Sequence, residues 1–327
     1  MTEPSATPSL STVIVAWEPG PELVQCVRSL AAARTAAGLD VELVVVDNAS
    51  REFPAAEIAA TWAGATLIRN ETNRGFGPAA NQGVAAAHAN IVLLLNPDTR
   101  AVDEPFGPLL AAFSEHPGAV AVAPRLLADD ASVRQNLRVH QLRRLPTLGH
   151  VAREMLLIDR AVPRNRWLAR DRYLDRDQNQ PFEVEQPAAA ALAVRHGVFV
   201  RLGGFDEAFV PAWFEDVDLC ARLLREGPIL YWPASRFVHT GGTAARTLGY
   251  DAFLPVYHLN ALRYWRKHHG PAVGAAHRAF VAIGMVLRLL VLPFSPAPAR
   301  KRTAACAYAR VLRGAAGFGW RLPGKAS

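Results

Sequence analysis

The sequence predicts an α/β protein built around a mostly parallel sheet. Through the first 125 residues, short apolar runs alternate with stretches of helical periodicity, which is the pattern of parallel strands joined by helices. Two of the runs, "VELVVVD" and "NIVLLLNPD", lead directly into an aspartate. The chain has 327 residues, half of them hydrophobic, which is enough for one large domain or two.

Each predicted strand is an apolar run bounded by polar residues or turns. The five strands of this first part are Thr12–Ala16, Val41–Asp47, Ala65–Arg69, Asn90–Asn96 and Ala119–Ala123. The intervening helices begin at Pro21 or occupy Pro54–Ala63, Gly77–Ala87 and Pro105–Ser114. In the helix after Pro21, apolar residues recur at the spacing of one helical face.

The remaining pattern is less regular. Residues 126–185 are charged and rich in arginine, which predicts irregular structure. From Gln186 onwards the sequence predicts a strand in "AALAV", a short helix before "LGGFDEAF", a helix from Glu215, and two strands in "ILYW" and "RFVH". The part after Asp251 is predicted to be helical.

Basic residues are concentrated at the C-terminal end. Twelve of the 36 Lys and Arg residues lie after Asp251, where there is no acidic residue, so the preceding part carries 24 basic and 29 acidic residues. This asymmetry suggests nucleic acid or an anionic membrane as a partner. Arg278 and Arg288 enclose only nine apolar residues, fewer than the ~20 needed to span a bilayer. A helix in the membrane interface and a brace packed on the protein are both consistent with this segment.

Cysteine usage and the first residues bear on the compartment. The three cysteines, Cys26, Cys220 and Cys306, are widely spaced and predict neither a disulfide framework nor a zinc site, which favours a reducing cytoplasm. The stretch "MTEPSATPSL" has no basic start and no apolar core. We expect residues 1–10 to form a loose tail rather than a signal peptide.

Two predicted strands end in acidic residues. Asp47 closes "VELVVVD" and Asp98 lies in the turn "NPDT". Either alone is typical of a turn or a helix cap. Together, at the carboxyl edge of one parallel sheet, they predict a ligand site. Asp98 is a suitable oxygen ligand for a hard divalent cation that also contacts a diphosphate.

A glycine-rich stretch, "NRGFGPAANQG", lies between these two acids. Gly75, Gly77 and Ala80 match a G-x-G-x-x-A string, which raises a dinucleotide-binding alternative. That fingerprint should follow the first strand, whereas this one follows the third. The glycines therefore indicate either close approach to a ligand or a tight turn into the next helix, and Arg74 either reaches a phosphate or lies at the surface.

A second group of acids occupies "GGFDEAFVPAWFEDVDLCAR". Glu215, Asp216 and Asp218 complement the dipole at a helix start, but three such close carboxylates also repel one another unless a cation or a proton intervenes. The aromatic residues Trp213 and Phe214 favour a walled pocket, in which a carboxylate can be tuned as a general base. His239, in "FVHTGG", is alone typical of a structural histidine, and the pair at 268–269 is predicted to lie at the surface.

In this order, the segments "VVVDNAS", "NRGFGPAANQG", "LLLNPDT", "GGFDEAFVPAWFEDVDLCAR" and "FVHTGG" resemble a family 2 glycosyltransferase. Within the family the sequence is most similar to rhamnosyltransferase-like enzymes of bacterial cell-envelope polysaccharide assembly. The resemblance implies the GT-A fold, a Rossmann-like, mostly parallel central sheet covered by helices. It implies a catalytic domain over 11–250, with a nucleotide-sugar half at 11–125 and an acceptor half at 126–250, followed by a helical extension over 251–327.

The resemblance also implies roles for individual residues. Donor-binding residues would be Ala16, Trp17, Asp47, Asn73, Arg74, Gly75, Asn96 and Asp98. Asp47 would contact the base of the nucleotide, with the backbone near Ala16 and Trp17 alongside it. Asp98 and His239 would hold Mg²⁺ or Mn²⁺ against the donor diphosphate. Asn96 stands where the family usually has the first acid of Asp-x-Asp.

The implied catalytic residues are Asp216, as the base for the acceptor hydroxyl, and the adjacent Glu215. One departure concerns "EQPAAAALAVRH", where many relatives have a glycine near the position of Ala189. The implied reaction is an inverting transfer from a nucleotide sugar, with dTDP-rhamnose the suggested donor and a UDP-sugar the alternative. The acceptor would be a glycan or a polyprenyl-diphosphate-linked sugar.

The resemblance implies a cytoplasmic enzyme, peripheral at the inner face of the cell membrane, with no nucleic-acid partner. Two other functions remain open from the residues alone. A sugar-phosphate nucleotidyltransferase would carry a glycine- and lysine-rich loop after the first strand, where this chain has "AWEPGPEL". A non-catalytic membrane or nucleic-acid adaptor would use the basic tail but would leave the acidic strand ends unexplained.

Overall fold

The computed structural model describes residues 7–128, 141–162, 165–240, 249–294 and 301–317. The strands in these ranges are β1 (Leu10–Ala16), β2 (Val41–Asp47), β3 (Thr66–Arg69), β4 (Ile91–Leu95), β5 (Thr99–Ala101), β6 (Ala121–Leu127), β7 (Leu142–Arg143), β8 (Phe182–Val184), β9 (Gln186–Pro187), β10 (Ala191–Arg195) and β11 (Ile229–His239). The helices are α1 (Glu22–Ala37), α2 (Ala55–Thr61), α3 (Phe76–Ala85), α4 (Phe106–Glu115), α5 (Leu148–Met155), α6 (Ile158–Ala161), α7 (Arg166–Asp171), α8 (His196–Arg201), α9 (Glu215–Leu223), α10 (Tyr250–Val291) and α11 (Lys301–Ala315). A 3-10 turn at Leu292–Phe294 follows α10.

Nine of these strands form one mixed sheet in the order β3-β2-β1-β4-β10-β6-β11-β5, with β8 paired to β11. Strands β3, β2, β1 and β4 are parallel to one another. β10 is antiparallel to both of its neighbours, and β11 runs parallel to β6. The predicted mostly parallel α/β sheet is therefore confirmed. Outside it, β7 and β9 form a small antiparallel ribbon.

Both faces of the sheet are covered, as expected for continuous apolar strands. On one face Ile14 belongs to a buried cluster with Leu23 and Leu30 of α1. On the other face Val13 packs in a second cluster with Val84 of α3. The α3 helix approaches the sheet closely: a Cβ at Gly83 would lie 2.5 Å from Cγ1 of Val13, so only glycine fits there without rearrangement.

The structure differs from the sequence prediction in three places. The short strand β5, which was not predicted, pairs with β11. The two strands predicted in "ILYW" and "RFVH" form the single strand β11, whose register shifts between Trp232 and Arg236. Residues 126–185, predicted to be irregular, contain the short helices α5, α6 and α7 in their described parts. Polar contacts such as the ion pair between Arg153 and Asp171 hold these helices together, and such contacts leave no periodic pattern.

The described residues after Asp251 are helical up to residue 315, as predicted. α10 is kinked at Gly270, where φ is 82°. Before the kink, Ala261, Tyr264 and Trp265 share a buried cluster with Phe209 and Phe214, which precede α9 in the sequence. By length and composition alone, the helical segment Tyr250–Phe294 is sufficient to cross a membrane. Core helices of other proteins satisfy the same criterion, so length and composition alone give only weak support for a membrane span. β1 begins at Leu10, at the end of the predicted tail.

Candidate active site

The carboxyl ends of β2, β1 and β4 lie side by side at one edge of the sheet. Ala16 of β1 is paired with Asp47 of β2, and Ile14 of β1 is paired with Leu95 of β4. Asp98 follows in the turn after β4. The two acids that end apolar runs in the sequence are thus brought to the same sheet edge, as their positions predicted.

Asp47 is fully buried at this edge. Its Oδ1 accepts a hydrogen bond from the Ser50 amide at 2.9 Å. Its Oδ2 lies 3.1 Å from Nε of Arg69, but it accepts no hydrogen bond from any described residue. A buried carboxylate oxygen without a hydrogen-bond donor costs about 1–3 kcal/mol, so this oxygen is well suited to accept one from a ligand.

A cavity of about 380 Å³ is lined by Ala49, Ser50, Arg51, Arg69, Asn70 and Glu71, and two of these residues, Ser50 and Arg69, contact Asp47. The loop after β1 packs against residues that line this cavity. The Glu18 amide donates to Oγ of Ser50 at 2.9 Å, and Oε1 of Glu18 pairs with Nε of Arg51 at 3.1 Å. The backbone of Ala16 is already bonded, since its carbonyl accepts from the Asn48 amide at 2.7 Å. Trp17, next to it, is partly exposed.

Asn48, which sequence reasoning did not single out, fixes the glycine-rich loop. Its Nδ2 donates to Oδ1 of Asn73 at 2.9 Å and to the Gly75 carbonyl at 3.1 Å. Its Oδ1 accepts from the Arg74 amide at 3.0 Å. The polar run "DNAS" after a buried strand was the available signal for this role.

Gly75 makes the tight turn into α3. This is the second of the two roles that the sequence suggested for the glycines of this stretch. Its φ is 88°, a backbone conformation that favours glycine. A Cβ at this position would lie 3.0 Å from the Pro211 carbonyl oxygen, and the Phe76 amide donates to that same oxygen at 2.8 Å. The loop therefore packs against the segment that leads to the second group of acids. The side chain of Arg74 is exposed.

Asp98 and His239 lie together, although they are far apart in the sequence. Oδ1 of Asp98 is 3.2 Å from Nε2 of His239, and Nδ2 of Asn96 is 3.4 Å from the same nitrogen. Their proximity follows from the sheet, because His239 of β11 pairs directly with Thr99 of β5. The glycines after His239 lie outside the described residues.

These three side chains fit a divalent cation that is shared with a ligand. Asp98 offers a hard carboxylate oxygen and His239 an imidazole nitrogen, and a rotated Asn96 amide would present its oxygen. Within the described ranges, no cluster of three or more His, Cys, Asp or Glu residues could hold a metal ion. Mg²⁺ and Mn²⁺ commonly take their remaining ligands from substrate phosphates and water, so two or three protein donors are sufficient at such a site.

Cys26 packs behind the Asp98 turn. Its Sγ lies 3.6 Å from Oγ1 of Thr99, which itself donates to the Asn96 carbonyl at 2.7 Å. Burial raises the pKa of the Cys26 thiol to about 12, so the thiol stays protonated at neutral pH. Cys26 therefore supports the turn and is not a nucleophile.

The predicted base, Asp216, is the second residue of α9 and is partly exposed. Its Oδ1 accepts from the Val217 amide at 2.8 Å and its Oδ2 from Nε2 of Gln186 at 3.2 Å. The Ala189 amide is a further donor. Burial raises the pKa of Asp216 above its ordinary value, while the charge of Arg143 and these hydrogen bonds oppose the rise.

Glu215, its neighbour, is only 7% exposed. Its Oε2 has no hydrogen-bond partner among the described residues. Burial, and secondly the charge of Asp216, raise the pKa of Glu215 well above its ordinary value. More hydrogen-bond donors converge on Asp216 than on Glu215, and the pKa of Glu215 is raised more strongly. Of the two carboxyl groups, Glu215 therefore favours the protonated form more, and Asp216 is the better suited to act as a base.

Residues 189–190 connect the two acidic groups. The Ala189 amide bonds to Asp216, and the carbonyl of the next residue, Ala190, accepts from the Asn96 amide at 2.9 Å. Asp216 and the Asn96–Asp98 turn are thus both held by one short backbone segment. Ala189 lies in this connection and is 8% exposed.

Asp218 has a structural role instead. It is fully buried, and its carboxylate pairs with Arg222 at 2.8 Å, Lys267 at 2.7 Å and His268 at 2.7 Å. The prediction that His268 is a surface residue is wrong, because its side chain is only 6% exposed. Its partner lies 50 residues away in the sequence, so local composition could not reveal the contact.

Asn260 of α10 holds the turn that precedes α9 and was also missed. Its Nδ2 donates to the carbonyls of Ala212 and Trp213 at 2.9 and 3.0 Å. Trp213 and Phe214 both have a φ of 71°, which is uncommon for non-glycine residues. The Trp213 ring packs edge-on against that of Phe253, with the ring centroids 4.6 Å apart. A single polar residue inside a helix gave no signal for this role.

Solved structures with the same architecture define the class of protein. The chain is similar to "GalNAc-T7 with UDP, GalNAc and Mn2+", with a TM-score of 0.57 and 15% identity, covering 98% of this chain but only 59% of that one. It is also similar to the mannosyltransferase PcManGT from Pyrobaculum calidifontis in complex with GDP-Man and Mn²⁺, with a TM-score of 0.54 and 14% identity, covering 97% of this chain and 88% of that one. The fold is GT-A, as the resemblance implied.

The sequence gives the family. Residues 11–175 match the Glycosyl transferase family 2, so the chain belongs to that family and is a glycosyltransferase. A relative from Mycobacterium tuberculosis (strain ATCC 25618 / H37Rv), named N-acetylglucosaminyl-diphospho-decaprenol L-rhamnosyltransferase, is 29% identical over 271 residues, covering 78% of this chain and 81% of its own. Glycosyl transfer is therefore favoured over the nucleotidyltransferase and adaptor alternatives.

Proposed function

We propose that this glycosyltransferase is an inverting enzyme that transfers L-rhamnose from dTDP-rhamnose to a hydroxyl of a polyprenyl-diphosphate-linked sugar. The observation that carries the proposal is the position of Asp216, a partly exposed carboxylate linked through residues 189–190 to the Asn96–Asp98 turn. A base and a seat for a diphosphate are thereby held next to each other. The rhamnosyltransferase relative supports the choice of sugar and acceptor.

The nucleotide base of the donor would lie at Asp47. Its Oδ2, which is ion-paired with Arg69 but accepts no hydrogen bond from a described residue, would accept one from the imide N–H that thymine and uracil both carry. The adjacent cavity of about 380 Å³ would receive the nucleoside. Asn73, Arg74 and Gly75, held by Asn48, would contact the rest of the donor.

A divalent cation, Mg²⁺ or Mn²⁺, would be held by Asp98 and His239 with Asn96 beside them. When bound, it would stabilise the negative charge of the departing nucleoside diphosphate. The Mn²⁺ in the two similar solved structures supports this cofactor.

Asp216 would take the proton of the acceptor hydroxyl. As the hydroxyl oxygen attacks the anomeric carbon, the new C–O bond forms opposite the breaking bond to the diphosphate. The electron pair of that bond leaves with the nucleoside diphosphate, and the configuration inverts. Because the acceptor displaces the leaving group directly, no covalent intermediate with the enzyme is formed.

The catalytic unit would extend beyond the predicted boundary at residue 250. Asn260 holds the turn before α9, and Tyr257 packs 5.1 Å from Phe214, so the first half of α10 belongs functionally with the acceptor side. The enzyme would work in the cytoplasm at the inner face of the membrane, where a polyprenyl-linked acceptor is accessible.

The test is a transfer assay combined with thermal shift. With Mn²⁺, dTDP-rhamnose should raise the melting temperature and yield a rhamnosylated N-acetylglucosaminyl-diphospho-polyprenol of inverted configuration. ADP-glucose serves as the control, because adenine lacks the ring N–H that thymine and uracil would donate to Asp47. Stabilisation by ADP-sugars alone, or a product that retains the donor configuration, would contradict the proposal.

A further inference from the structure

The ribbon of β7 and β9 places a cation beside the proposed base. Arg143 of β7 is directly opposite Gln186 of β9, and Nε2 of Gln186 donates to Oδ2 of Asp216 at 3.2 Å. Side chains directly opposite each other in an antiparallel pair lie on the same face. Arg143 is exposed, and its charge acts on the Asp216 carboxylate. An exposed guanidinium therefore lies near the proposed base.

Arg172 lies beside Arg143. The Arg144 amide donates to the Asp171 carbonyl at 2.8 Å, which brings the neighbouring residues 143 and 172 together. Burial, and secondly the charge of Arg143, lower the pKa of Arg172. Arginine is the side chain best suited to phosphate oxygens, and two adjacent guanidinium groups favour a ligand with several negative charges.

The carboxylates near Arg172 are shared with other cations. Asp171 pairs with Arg153 and with His150, the latter at 3.1 Å, and Asp159 pairs with Arg153 at 3.4 Å. Asp159, Glu154 and Asp171 all act on Arg172, so Arg172 is the more shielded of the two guanidinium groups and Arg143 is the more exposed one.

From this cationic region, α5 leads to an exposed apolar surface. The helix begins shortly after β7 and has 8 residues, a length of about 12 Å. At its far end, two segments expose large apolar side chains. We define the apolar end as Leu156, Ile158, Val162, Leu290, Val291 and Phe294, of which Leu290 is 65% and Phe294 86% exposed.

Arg288 joins the two segments of the apolar end. Its Nη1 and Nη2 donate to the carbonyls of Met155 and Glu154, each at 3.0 Å. Gly284 packs so closely that a Cβ there would lie 2.8 Å from Cβ of Met155. The charge that interrupts the apolar stretch in the sequence is thus turned inward onto α5.

We propose that Arg143 and Arg172 bind the diphosphate of a polyprenyl-diphosphate-linked acceptor, and that the apolar end receives its lipid together with the surface of the bilayer. The order of groups matches such a ligand: the sugar hydroxyl at Asp216, the diphosphate at the start of α5 and the lipid at its end. The basic residues of α11, which contains no acid, complement anionic lipid headgroups. This inference rests on the proposed function and assigns its acceptor site.

The first test compares two acceptors, a short-chain polyprenyl-diphosphate-linked N-acetylglucosamine and an alkyl N-acetylglucosaminide that lacks phosphate. Arg143→Gln and Arg172→Gln should each raise KM for the diphosphate acceptor at least about tenfold. KM for the other acceptor and for the donor should stay within about twofold. Arg176→Gln, an exposed arginine in the same region, is the matched control and should leave both acceptors unchanged.

Two outcomes would overturn the arginine site. An equal loss of kcat on both acceptors, with a shifted pH profile, would mean that the arginines act only on the ionisation of Asp216. An unchanged KM for the diphosphate acceptor in both variants would exclude diphosphate binding there. Calorimetric binding of farnesyl diphosphate tests the arginine site without turnover, so it applies even if the wild-type protein transfers no rhamnose. A wild-type protein without rhamnose transfer would contradict the proposed function and not the arginine site.

The second test concerns the apolar end. Full-length protein should float with vesicles containing anionic lipid, and Leu290→Asp and Phe294→Asp should each reduce the bound fraction at least about fivefold. Both variants should keep the wild-type melting temperature and the wild-type affinity for the donor, which show that the fold and the donor edge are intact. Equal flotation of variants and wild type would overturn the lipid assignment. A wild-type dimer that these substitutions dissociate would do the same, because a second copy would then cover the surface.

Discussion

The donor edge of the sheet and the acceptor side of the molecule are built differently. At the donor edge, Asp47 and Asp98 are placed by the ends of neighbouring parallel strands, so the backbone topology alone brings them together. On the acceptor side, Asp216 depends on Gln186, on the Ala189 amide and, through the turn before α9, on Asn260. Strand order fixes the first half of the site, and side-chain hydrogen bonds between distant segments fix the second.

The two sides are therefore expected to fail differently when they are mutated. Substitutions at the donor edge should remove ligand contacts and leave the fold intact. Substitutions on the acceptor side should divide into those that remove chemistry and those that displace the base. Asp216 and Asp218, two residues apart on α9, provide the sharpest comparison.

We expect the largest effect from Asp216→Asn. Losing the base should lower kcat by about 10²–10⁴-fold, whereas donor affinity and the melting temperature stay close to wild type. Asp218→Asn is the matched control in the same helix. It removes charge from a buried cluster of Arg222, Lys267 and His268, and should cost about 3 kcal/mol of unfolding free energy while the folded protein keeps its activity. Appreciable turnover by Asp216→Asn would remove Asp216 from the mechanism.

At the donor edge, Asp98→Ala should weaken Mn²⁺-dependent binding of the nucleotide sugar by about 100-fold, which corresponds to about 2.7 kcal/mol. His239→Ala should weaken it less, since the neutral imidazole contributes no charge to the cation. Titration calorimetry with and without Mn²⁺ measures both. Asp103→Ala, an exposed acid on the neighbouring loop, is the control. Unchanged donor affinity in Asp98→Ala would contradict the role proposed for this carboxylate.

The same contrast explains what could be predicted from the sequence. The strands β1 to β4 and the α/β class follow from apolar runs in the sequence. The proximity of Asp47 and Asp98 follows because two of these runs lead into an aspartate, and all of this is local information. Asp216 was found through a local cluster of acids and aromatic residues. Gln186, Arg143 and Asn260 were missed because each is a single polar residue whose partner is contributed by another segment.

Histidines show the limit of local composition most clearly. His268 occurs in a basic stretch and was assigned to the surface, yet it is buried against Asp218. His239 was suspected only through its resemblance to a family pattern. Its contact with Asp98 exists because β5, a strand of three residues, pairs with β11, and a strand that short leaves no periodicity to detect.

A smaller effect is expected from Asn260→Ala. The buried amide satisfies the carbonyls of Ala212 and Trp213, so its loss should reduce the unfolding free energy by about 1–3 kcal/mol. Displacement of the turn should also lower kcat by about tenfold, while donor binding changes little. Urea unfolding and steady-state kinetics measure the two effects. Asn260→Asp, which keeps the shape but not the donor, should resemble the alanine variant, and full activity in either would show that α10 does not position the base.

The smallest effect on turnover is expected from Glu215→Gln, which tests how the acidic pair shares its proton. With Glu215 protonated in the folded enzyme, the neutral amide should change kcat by less than about twofold at pH 8. Activity should still rise with pH through the raised pKa of Asp216, which is due first to burial. A loss of activity comparable to that of Asp216→Asn would instead identify Glu215 as the base.

Stability should respond more clearly than activity, because the pKa of Glu215 is raised by burial above its ordinary value of 4.5. A carboxyl group whose pKa is higher in the folded state than in the unfolded state contributes stability below the unfolded pKa. That contribution is lost as the pH rises through the folded pKa. The wild-type unfolding free energy should therefore fall from pH 4.5 upwards more steeply than that of Glu215→Gln, with Glu226→Gln, partly buried at the surface, as the control. Parallel pH profiles for wild type and Glu215→Gln would mean that the proton resides on Asp216, which then could not act as the base at neutral pH.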